Sequence, residues 1–292
     1  NIHNMKYFTE EISKVMSRNF ITLKPTDNAR KALHLMRDRK ASVILIATKR
    51  RILGFISSLH LLEAGNFPGA KLGSIARPAP SFTSSDTVLD VAKALVSHRM
   101  AAVSVLDSKG AVLGIVTSYD IVKYALRTGW LEMFSLKDVM STDLVTAAPS
   151  DPVDKVRRMI VNRRVKQVLI IGDYGKLVGV VGIGNILDKI YGIALSRSTF
   201  GEVSGKTSRT LSCQAKSIMA RPVSTVDVGD RLSKAAGVMI KGGFAAPVLE
   251  RGSVVGIVSR SDIVKMIAAL DLMPGLPVTF KGFKRHRRQV WD

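Results

Sequence analysis

Residues 112–120 read VLGIVTSYD, and this stretch decides the fold because it recurs along the chain. A close copy, VVGIVSRSD, occupies residues 254–262, and weaker copies read ILGFISSLH at 52–60 and LVGVVGIGN at 177–185. In each copy a short apolar run around a glycine passes directly into residues that favour the start of a helix. The chain is therefore predicted to contain four buried strands, each running straight into a helix.

Two of the copies keep a hydroxyl residue followed three places later by an aspartate, as Thr117 with Asp120 and Ser259 with Asp262. This spacing is typical of a helix cap, in which the two side chains bond to free backbone N–H groups at the helix start. A helix N-terminus also favours an anionic ligand, so a capping role and a ligand-binding role are compatible.

Length and composition indicate a globular protein, with 292 residues of which 46% are apolar. The longest apolar runs, such as residues 43–47, have the length of a strand and are too short to span a membrane. The N-terminus carries no charged-then-apolar signal segment, so we expect a soluble cytoplasmic protein with no membrane association. The single cysteine, Cys213, excludes an internal disulfide.

The formal charge of +21 indicates an anionic partner. Nucleic acid is one candidate, although the lysines and arginines are scattered and lack the interleaved aromatic residues on which bases stack. An acidic protein or a phosphorylated metabolite is the alternative. The one dense basic cluster, Lys281–Arg288, lies in a tail at residues 271–292, which is either solvated or a docking arm.

Around the recurring glycines the sequence divides into four units of similar length. Each unit begins with a short extended piece, continues through an amphipathic helix and a hairpin of two apolar strands, and closes with a second helix. Nearly continuous apolar strands indicate a sheet that is covered on both faces. The predicted units are residues 12–66, 72–127, 136–192 and 215–270.

The linkers suggest how these units pair. A single unit of this size leaves one sheet face exposed and is marginally stable alone, so two units are expected to pack face to face. The first two units are joined by a short Gly/Pro stretch at residues 65–71, whereas the third and fourth are joined by the longer segment 192–214. We therefore predict two modules, one of the first and second units and one of the third and fourth.

The order of these features resembles the cystathionine-β-synthase (CBS) domain over about residues 12–270. The resemblance rests on the Val-Met pair at 139–140, the apolar-Thr-apolar-x-Pro segment at 21–25, the Ala-rich helices, the hairpins, and Gly-Ile-Val-Thr-x-x-Asp at 114–120. It implies an α/β fold of four tandem strand-helix-strand-strand-helix CBS repeats, paired into two pseudo-two-fold modules.

Four such repeats without a catalytic domain are similar to the γ subunit of AMP-activated kinase and to stand-alone archaeal four-repeat proteins. Paired repeats of this family bind adenosine-containing ligands, commonly AMP, ADP, ATP or S-adenosylmethionine, and the ligand regulates an associated protein. The resemblance implies a non-enzymatic sensor with an adenine nucleotide as ligand and no required cofactor. The residues themselves predict no metal and no catalytic residue, because the histidines lack ligand spacing and no base–nucleophile set or phosphate loop is visible. The regulated partner is unidentified, and a homodimer is left open.

The resemblance also implies the site residues. Asp120 and Asp262 would bind the ribose hydroxyls, and we name the two predicted clefts the Asp120 site and the Asp262 site. The Asp120 site comprises Ile115, Thr117, Ser118, Tyr119 and Asp120, with Met16, Ile21, Lys40 and Ala41 from the first repeat. The Asp262 site comprises Ile257, Ser259, Arg260, Ser261 and Asp262, with Met140, Val145, Arg164, Val165 and Lys166 from the third repeat. Among the basic residues, phosphate contacts are expected from Arg39, Lys40, Arg164 and Lys166.

The other two copies lack the aspartate. His60 replaces it in the first repeat, and Gly182 with Asn185 removes both the hydroxyl and the acid in the third. These two clefts are expected to be empty or to hold a ligand differently. One competent cleft in each module is the prediction. The alternative functions are binding of RNA or DNA through the basic surface and regulation by bound S-adenosylmethionine.

Overall fold

The computed structural model describes residues 8–49, 51–64, 69–195 and 211–270, with only the backbone for residues 190–195. The basic tail at residues 271–292 and its Lys281–Arg288 cluster lie outside the described residues. Within the described part, the chain forms the four units of strand, helix, hairpin and helix that the repeats predict.

The first two repeats lie in the N-terminal half. The first repeat contains β1 (Thr22–Leu23), α1 (Ala29–Asp38), β2 (Val43–Ala47), β3 (Ile52–Ser57) and α2 (Ser58–Glu63). A short helix, α3 (Leu72–Ile75), leads into the second repeat. That repeat contains β4 (Ser81–Thr83), α4 (Val88–Ser97), β5 (Ala102–Leu106), β6 (Val112–Thr117) and α5 (Ser118–Arg127).

The C-terminal half repeats this order. After the short helix α6 (Leu136–Val139), the third repeat contains β7 (Thr146–Ala147), α7 (Val153–Arg163), β8 (Gln167–Ile171), β9 (Leu177–Gly182) and α8 (Ile183–Leu195). The fourth repeat contains β10 (Val226–Asp227), α9 (Leu232–Ile240), β11 (Ala245–Glu250), β12 (Ser253–Ser259) and α10 (Arg260–Ala268).

Each repeat builds its own three-stranded sheet. The first strand pairs in parallel with the second, and the second pairs antiparallel with the third, as in Thr22 with Leu45 and Leu45 with Phe55. The first helix of each repeat covers one sheet face with its apolar side. In α1 this side consists of Ala29, Ala32, Leu33 and Met36, all buried, as the 3.6-residue spacing predicts.

Backbone bridges join the repeats in the predicted pairs. Ser17, which precedes β1, exchanges two backbone hydrogen bonds with Ile115 of the second repeat, at 2.9 and 3.0 Å. Ser141 and Ile257 make the equivalent pair between the third and fourth repeats, both at 2.9 Å. The sheets of the first two repeats also share an apolar cluster that includes Leu45 and Ile115. In the described residues the first repeat therefore contacts the second, and the third contacts the fourth.

The two modules pack against each other through their helices, which the sequence does not predict. Helices α4 and α5 of the second repeat contact α9 and α10 of the fourth, and their side chains form one continuous apolar cluster. Helix α2 of the first repeat contacts α7 and α8 of the third within a second cluster. Every repeat therefore has one neighbour across its sheet and another across its helices.

The recurring glycines lie where one repeat crosses its partner. A Cβ atom added to Gly256 would lie 2.5 Å from the Met140 Sδ atom, and one on Gly179 would lie 2.5 Å from the Met219 Sδ atom. The methionine of one repeat thus packs onto the glycine of its partner. At Gly54 the nearest atom would be the backbone oxygen of Arg77, at 2.0 Å. The glycines allow this close approach between paired repeats.

Candidate functional site

Asp120 lies where β6 turns into α5. Its Oδ2 atom accepts hydrogen bonds from the Thr117 backbone N–H, at 2.9 Å, and from the Thr117 hydroxyl, at 2.6 Å. The Thr117 hydroxyl in turn accepts from the backbone N–H of Tyr119, at 3.2 Å. This reciprocal arrangement is the capping box considered in the sequence analysis. Asp120 Oδ2 accepts both hydrogen bonds from Thr117, so Asp120 Oδ1 takes no part in the cap.

Asp262 has the same geometry at the start of α10. Its Oδ2 atom accepts from the Ser259 backbone N–H at 2.9 Å and from the Ser259 hydroxyl at 2.6 Å. Here Oδ1 lies 3.5 Å from the Lys265 ammonium, and the residue is only 9% exposed. The two aspartates therefore share one capping arrangement, and each has a lysine three residues later whose charge acts on the carboxylate.

The buried setting of Asp120 affects its ionisation. Burial raises the pKa of this carboxyl, while the hydrogen bonds from Thr117 and the charge of Lys123 act in the opposite direction. A carboxylate that is partly desolvated binds hydroxyl donors more strongly than one in water, because less hydration is lost when the ligand arrives.

The opposing wall of each site comes from the paired repeat. A Cβ atom on Gly114 would lie 3.0 Å from the Met16 Sδ atom, and Met16 precedes the Ser17–Ile115 bridge. Met140 has the matching place in front of Gly256, beside the Ser141–Ile257 bridge. The structure thus brings Met16 close to the Ile115 strand and Met140 close to the Ile257 strand.

Ser141 is a polar residue that sequence reasoning missed. Its Oγ atom is buried and has no hydrogen-bond partner among the described residues. Its backbone bridges Ile257, so the hydroxyl belongs to the segment that forms one wall of the Asp262 site. An unpaired buried hydroxyl is costly unless a further group bonds to it. The place of Ser141 directly after the Val-Met pair gives no sign of this burial.

The remaining predicted wall residues lie on turns and strand starts. The carbonyls of Ile21 and Val145 accept from Leu45 and Leu169, at 2.9 and 3.0 Å, which holds the first strand of each sheet in place. Lys40 is exposed, with a left-handed φ of 51°, at the turn from α1 to β2. Ala41, Val165, Ser118 and Ser261 and the exposed Arg39 complete the predicted set.

Lys166, Phe244, Arg260 and Tyr119 form a row of cation–aromatic contacts. The Lys166 ammonium lies 5.3 Å from the centre of the Phe244 ring. The guanidinium of Arg260 lies 5.2 Å from the same ring and 4.9 Å from the centre of the Tyr119 ring. Because Tyr119 belongs to the second repeat and Arg260 to the fourth, the row crosses from one module to the other.

Two cations of this row are held away from water. Burial and the positive charge of Arg260 lower the pKa of Lys166 to about 8. Arg260 is 8% exposed, and its Nη2 atom donates to the carbonyls of Met239 and Gly243, each at 2.7 Å. No carboxylate forms an ion pair with Lys166 among the described residues. Lys166 is therefore a desolvated ammonium, of a kind suited to binding a phosphate.

Arg164 approaches the first repeat. Its guanidinium lies 4.0 Å from the Glu63 carboxylate of the first repeat, and its charge acts on His60. Arg164 directly follows α7, and its left-handed φ of 51° ends that helix. Arg164 thus contacts the first module because α2 packs against α7. This packing between modules has no signal in the sequence.

The two junctions without aspartate keep their helix caps by other means. At the start of α2, His60 Nδ1 accepts from the backbone N–H of Ser57 at 3.2 Å. Before α8, Asn185 Oδ1 accepts from the backbone N–H of Gly182 at 2.8 Å. Neither side chain carries the negative charge of a carboxylate. The cap is therefore common to the four repeats, whereas the carboxylate is confined to the second and fourth.

His60 predicts a pH dependence of stability. Burial is the main cause that lowers the pKa of His60, with Arg77 and Arg164 acting in the same direction and Glu63 against it. An unfolded histidine titrates near about 6.5, so acidification below that pH protonates the unfolded chain first and destabilises the fold. Protonation also removes the Nδ1 lone pair that caps α2.

The free energy of unfolding is expected to fall between pH 7 and pH 5, as followed by urea denaturation. His60→Asn should reduce this fall, because asparagine caps the equivalent position at Asn185 and does not titrate. His98→Asn, at an exposed helix end, is the matched control and should leave the profile unchanged. Identical profiles for wild type and His60→Asn would refute the assignment.

No group of three His, Cys, Asp or Glu side chains in the described ranges is placed to hold a metal ion. None of the described helices combines the length and apolar character needed to cross a lipid bilayer.

Comparison with known proteins identifies relatives along most of the chain. MJ1404 of Methanocaldococcus jannaschii is 25% identical over 267 residues, which cover 89% of this chain and 62% of that protein. The chain thus spans less than two thirds of the length of this relative. MJ1225 of the same organism is 21% identical over 286 residues, covering 89% of this chain and all of that protein.

Solved structures agree with the fold. The crystal structure of MJ1225, described as a candidate archaeal homologue of γ-AMPK, superposes with a TM-score of 0.77 at 18% identity over 89% of this chain. A conserved protein from Pyrococcus horikoshii superposes with a TM-score of 0.62 at 17% identity over 88% of this chain. At these identities the likeness establishes the fold.

The family assignment rests on the sequence matches within the chain. The CBS domain matches four stretches, residues 12–66, 72–127, 136–192 and 215–269. These stretches contain the four sheets, the capped junctions and the crossing methionine–glycine contacts described above. The chain therefore belongs to the CBS-domain family, with four tandem CBS repeats.

Proposed function

We propose that this protein is a non-enzymatic regulatory sensor that binds adenine nucleotides, AMP, ADP or ATP, at the Asp120 and Asp262 sites. One observation carries the proposal: all four junctions have a side-chain cap, but only two of them use a carboxylate. Capping alone does not require the negative charge, since Asn185 and His60 cap without it. The retained carboxylates are then explained by a ligand with adjacent hydroxyl groups, such as a ribose.

The Asp262 site offers groups for each part of a nucleotide. Asp262 would accept from the ribose hydroxyls, and the unpaired Ser141 hydroxyl would bond to the adenine or the ribose. Lys166 would bind phosphate. Its low pKa supports this role, because an anion beside the ammonium would stabilise the charged form that burial disfavours.

Regulation would follow from the position of the sites between paired repeats. A ligand at the Asp120 site would contact the second repeat through Asp120 and the first through the Met16–Ser17 segment. Binding would favour the arrangement of repeats that fits the ligand, and a partner protein could recognise that arrangement. CBS domains are in general regulatory rather than catalytic, and we propose no catalytic residue. The proposed location is cytoplasmic, and the proposed partner is an unidentified regulated protein.

Calorimetry of the full chain tests this function, with AMP, ADP, ATP and S-adenosylmethionine as ligands. The proposal expects two nucleotides bound per chain. It also expects weaker binding of 2′-deoxy-AMP than of AMP, because the carboxylate loses one ribose hydroxyl. If S-adenosylmethionine binds and the three nucleotides do not, S-adenosylmethionine is the ligand of these sites. No binding of any of the four would overturn the proposal.

The charge of +21 favours a second candidate function, binding of RNA or DNA. Polyanion binding through a basic surface weakens steeply with salt, since bound counterions are released from the nucleic acid. Fluorescence anisotropy with single- and double-stranded RNA at 50 to 300 mM salt would measure it. Tight, salt-sensitive RNA binding together with no nucleotide binding would make this the better account.

Lys166 predicts that nucleotide binding takes up a proton near pH 8. Its pKa is about 8 in the free protein, and a phosphate beside it would raise that value. Affinity at the Asp262 site should therefore fall as the pH rises above 8. Lys166→Met should weaken binding at this site by about tenfold, the cost of one charge-assisted hydrogen bond.

The measurement is calorimetry at pH 8 in buffers of different ionisation enthalpy. The wild type should show a binding enthalpy that depends on the buffer, and Lys166→Met should lose that dependence. Lys176→Met changes an exposed lysine in the hairpin turn of the same repeat and should behave as wild type. A buffer dependence that survives in Lys166→Met would assign the proton to another group.

A further inference from the structure

Arg260 is placed between the two proposed sites. It is the first residue of α10, directly after Ser259 and two residues before Asp262. The face of its guanidinium lies 4.9 Å from the ring centre of Tyr119, which immediately precedes Asp120. One arginine therefore belongs by sequence to the Asp262 site and by contact to the Asp120 site of the other module.

The surroundings of Arg260 fix its position. Two carbonyls, of Met239 and Gly243, accept from the same Nη2 atom at 2.7 Å, and the Phe244 ring covers the guanidinium at 5.2 Å. The helices on either side, α4, α5, α9 and α10, share one apolar core, so the contact between Arg260 and Tyr119 is held by tightly packed elements. A charge fixed in this way needs no reorganisation before it acts on a ligand.

The charge of Arg260 is only partly compensated. Burial lowers the pKa of the guanidinium, while Tyr119 and the carboxylate of Asp120 raise it, which places Asp120 within electrostatic reach. The Nε atom is buried without a partner among the described residues. Arginine stays charged at neutral pH and acts over several ångströms in a partly desolvated region.

We propose that Arg260, from the second module, contributes to nucleotide binding at the Asp120 site of the first module by attracting the phosphate. This inference rests on the proposed function of the Asp120 site. It makes the site a product of three repeats: the first supplies Met16, the second Asp120 and the fourth Arg260. The packing of the two modules would then be required for full affinity.

The test uses a chain in which only the Asp120 site can bind. Asp262→Asn removes the carboxylate of the other site and keeps a cap acceptor. In this background, Arg260→Gln should weaken AMP binding about fivefold or more, as expected for the loss of a nearby charge. Its affinity for adenosine, which has no phosphate, should change little. Arg260→Lys keeps the charge and should retain most of the preference for AMP over adenosine.

The results distinguish a failure of the Arg260 proposal from a failure of nucleotide binding at the Asp120 site. If Asp262→Asn alone binds no AMP, the proposed function of the Asp120 site fails. If that variant binds AMP and Arg260→Gln binds it equally well, the inference is overturned. An equal loss of AMP and adenosine would also overturn it, because it would reveal a packing role only. Arg231→Gln, exposed in the same repeat, is the matched control and should leave both affinities unchanged.

Discussion

Gly54→Ala is expected to lower the free energy of unfolding by about 3 kcal/mol or more, the largest effect of any single change considered. Gly54 has a φ of +136°, a backbone conformation that residues with a side chain rarely adopt. An added Cβ atom would lie 2.0 Å from the Arg77 carbonyl oxygen and 2.8 Å from the Pro78 Cα atom. These are backbone atoms that cannot move aside.

The second repeat has no methionine to place against Gly54. Ala76 stands where the other repeats have methionine, and the next residue, Arg77, pairs directly with Phe55 through two hydrogen bonds of 2.9 Å. At Gly256 the obstacle is the flexible end of Met140, so Gly256→Ala should cost less, about 1–2 kcal/mol.

Chemical denaturation followed by circular dichroism measures this prediction. Gly237→Ala is the control, because Gly237 lies inside α9 with nothing within 4 Å of an added Cβ atom. That change should stabilise the protein slightly, since alanine favours a helix more than glycine does. A Gly54→Ala protein as stable as Gly237→Ala would contradict the described crossing of the two repeats.

Asp120→Asn and Asp262→Asn are each expected to abolish binding at one site, weakening it by about thirtyfold or more, since hydrogen bonds to a charged group are the strong ones. The fold should survive, because Asn185 caps its helix by accepting from the Gly182 N–H at 2.8 Å. Asparagine thus removes the charge that the ligand would need and keeps the group that the helix needs.

Calorimetry with AMP gives the stoichiometry, and thermal melting without ligand checks the fold. Each single variant should bind one nucleotide, and the double variant none, with melting temperatures close to that of the wild type. Asp138→Asn is the matched control, because Asp138 caps the short helix α6 in the same way, outside both sites. Normal AMP binding by the double variant would show that the carboxylates serve the helix caps alone.

The fold follows from the sequence largely through local signals. Apolar residues at a period of 3.6, such as Ala29, Ala32 and Met36, predict the helices of each repeat, and apolar runs predict the hairpin strands. Both follow because local geometry determines which side chains share a face. The pairing of repeats also followed from linker length, since a short connection such as residues 65–71 joins neighbours. The capping role of Asp120 was foreseen from its spacing to Thr117.

Other features depend on contacts between distant parts of the chain. The apolar faces of α5 and α10 look alike in sequence, so nothing there indicates that they meet across the modules. Arg164 could not be assigned to Glu63 for the same reason. Ser141 differs from an ordinary turn serine only because the fold buries its hydroxyl, and burial of one atom has no sequence signal.

The most direct test of the central claim is a crystal structure of the full chain grown with AMP. The account predicts two nucleotides per chain, with their ribose hydroxyls bonded to Asp120 and Asp262, and no nucleotide at the junctions of His60 and Asn185. Nucleotides at the His60 or Asn185 junctions, with Asp120 and Asp262 bonded only to their own helix caps, would contradict it.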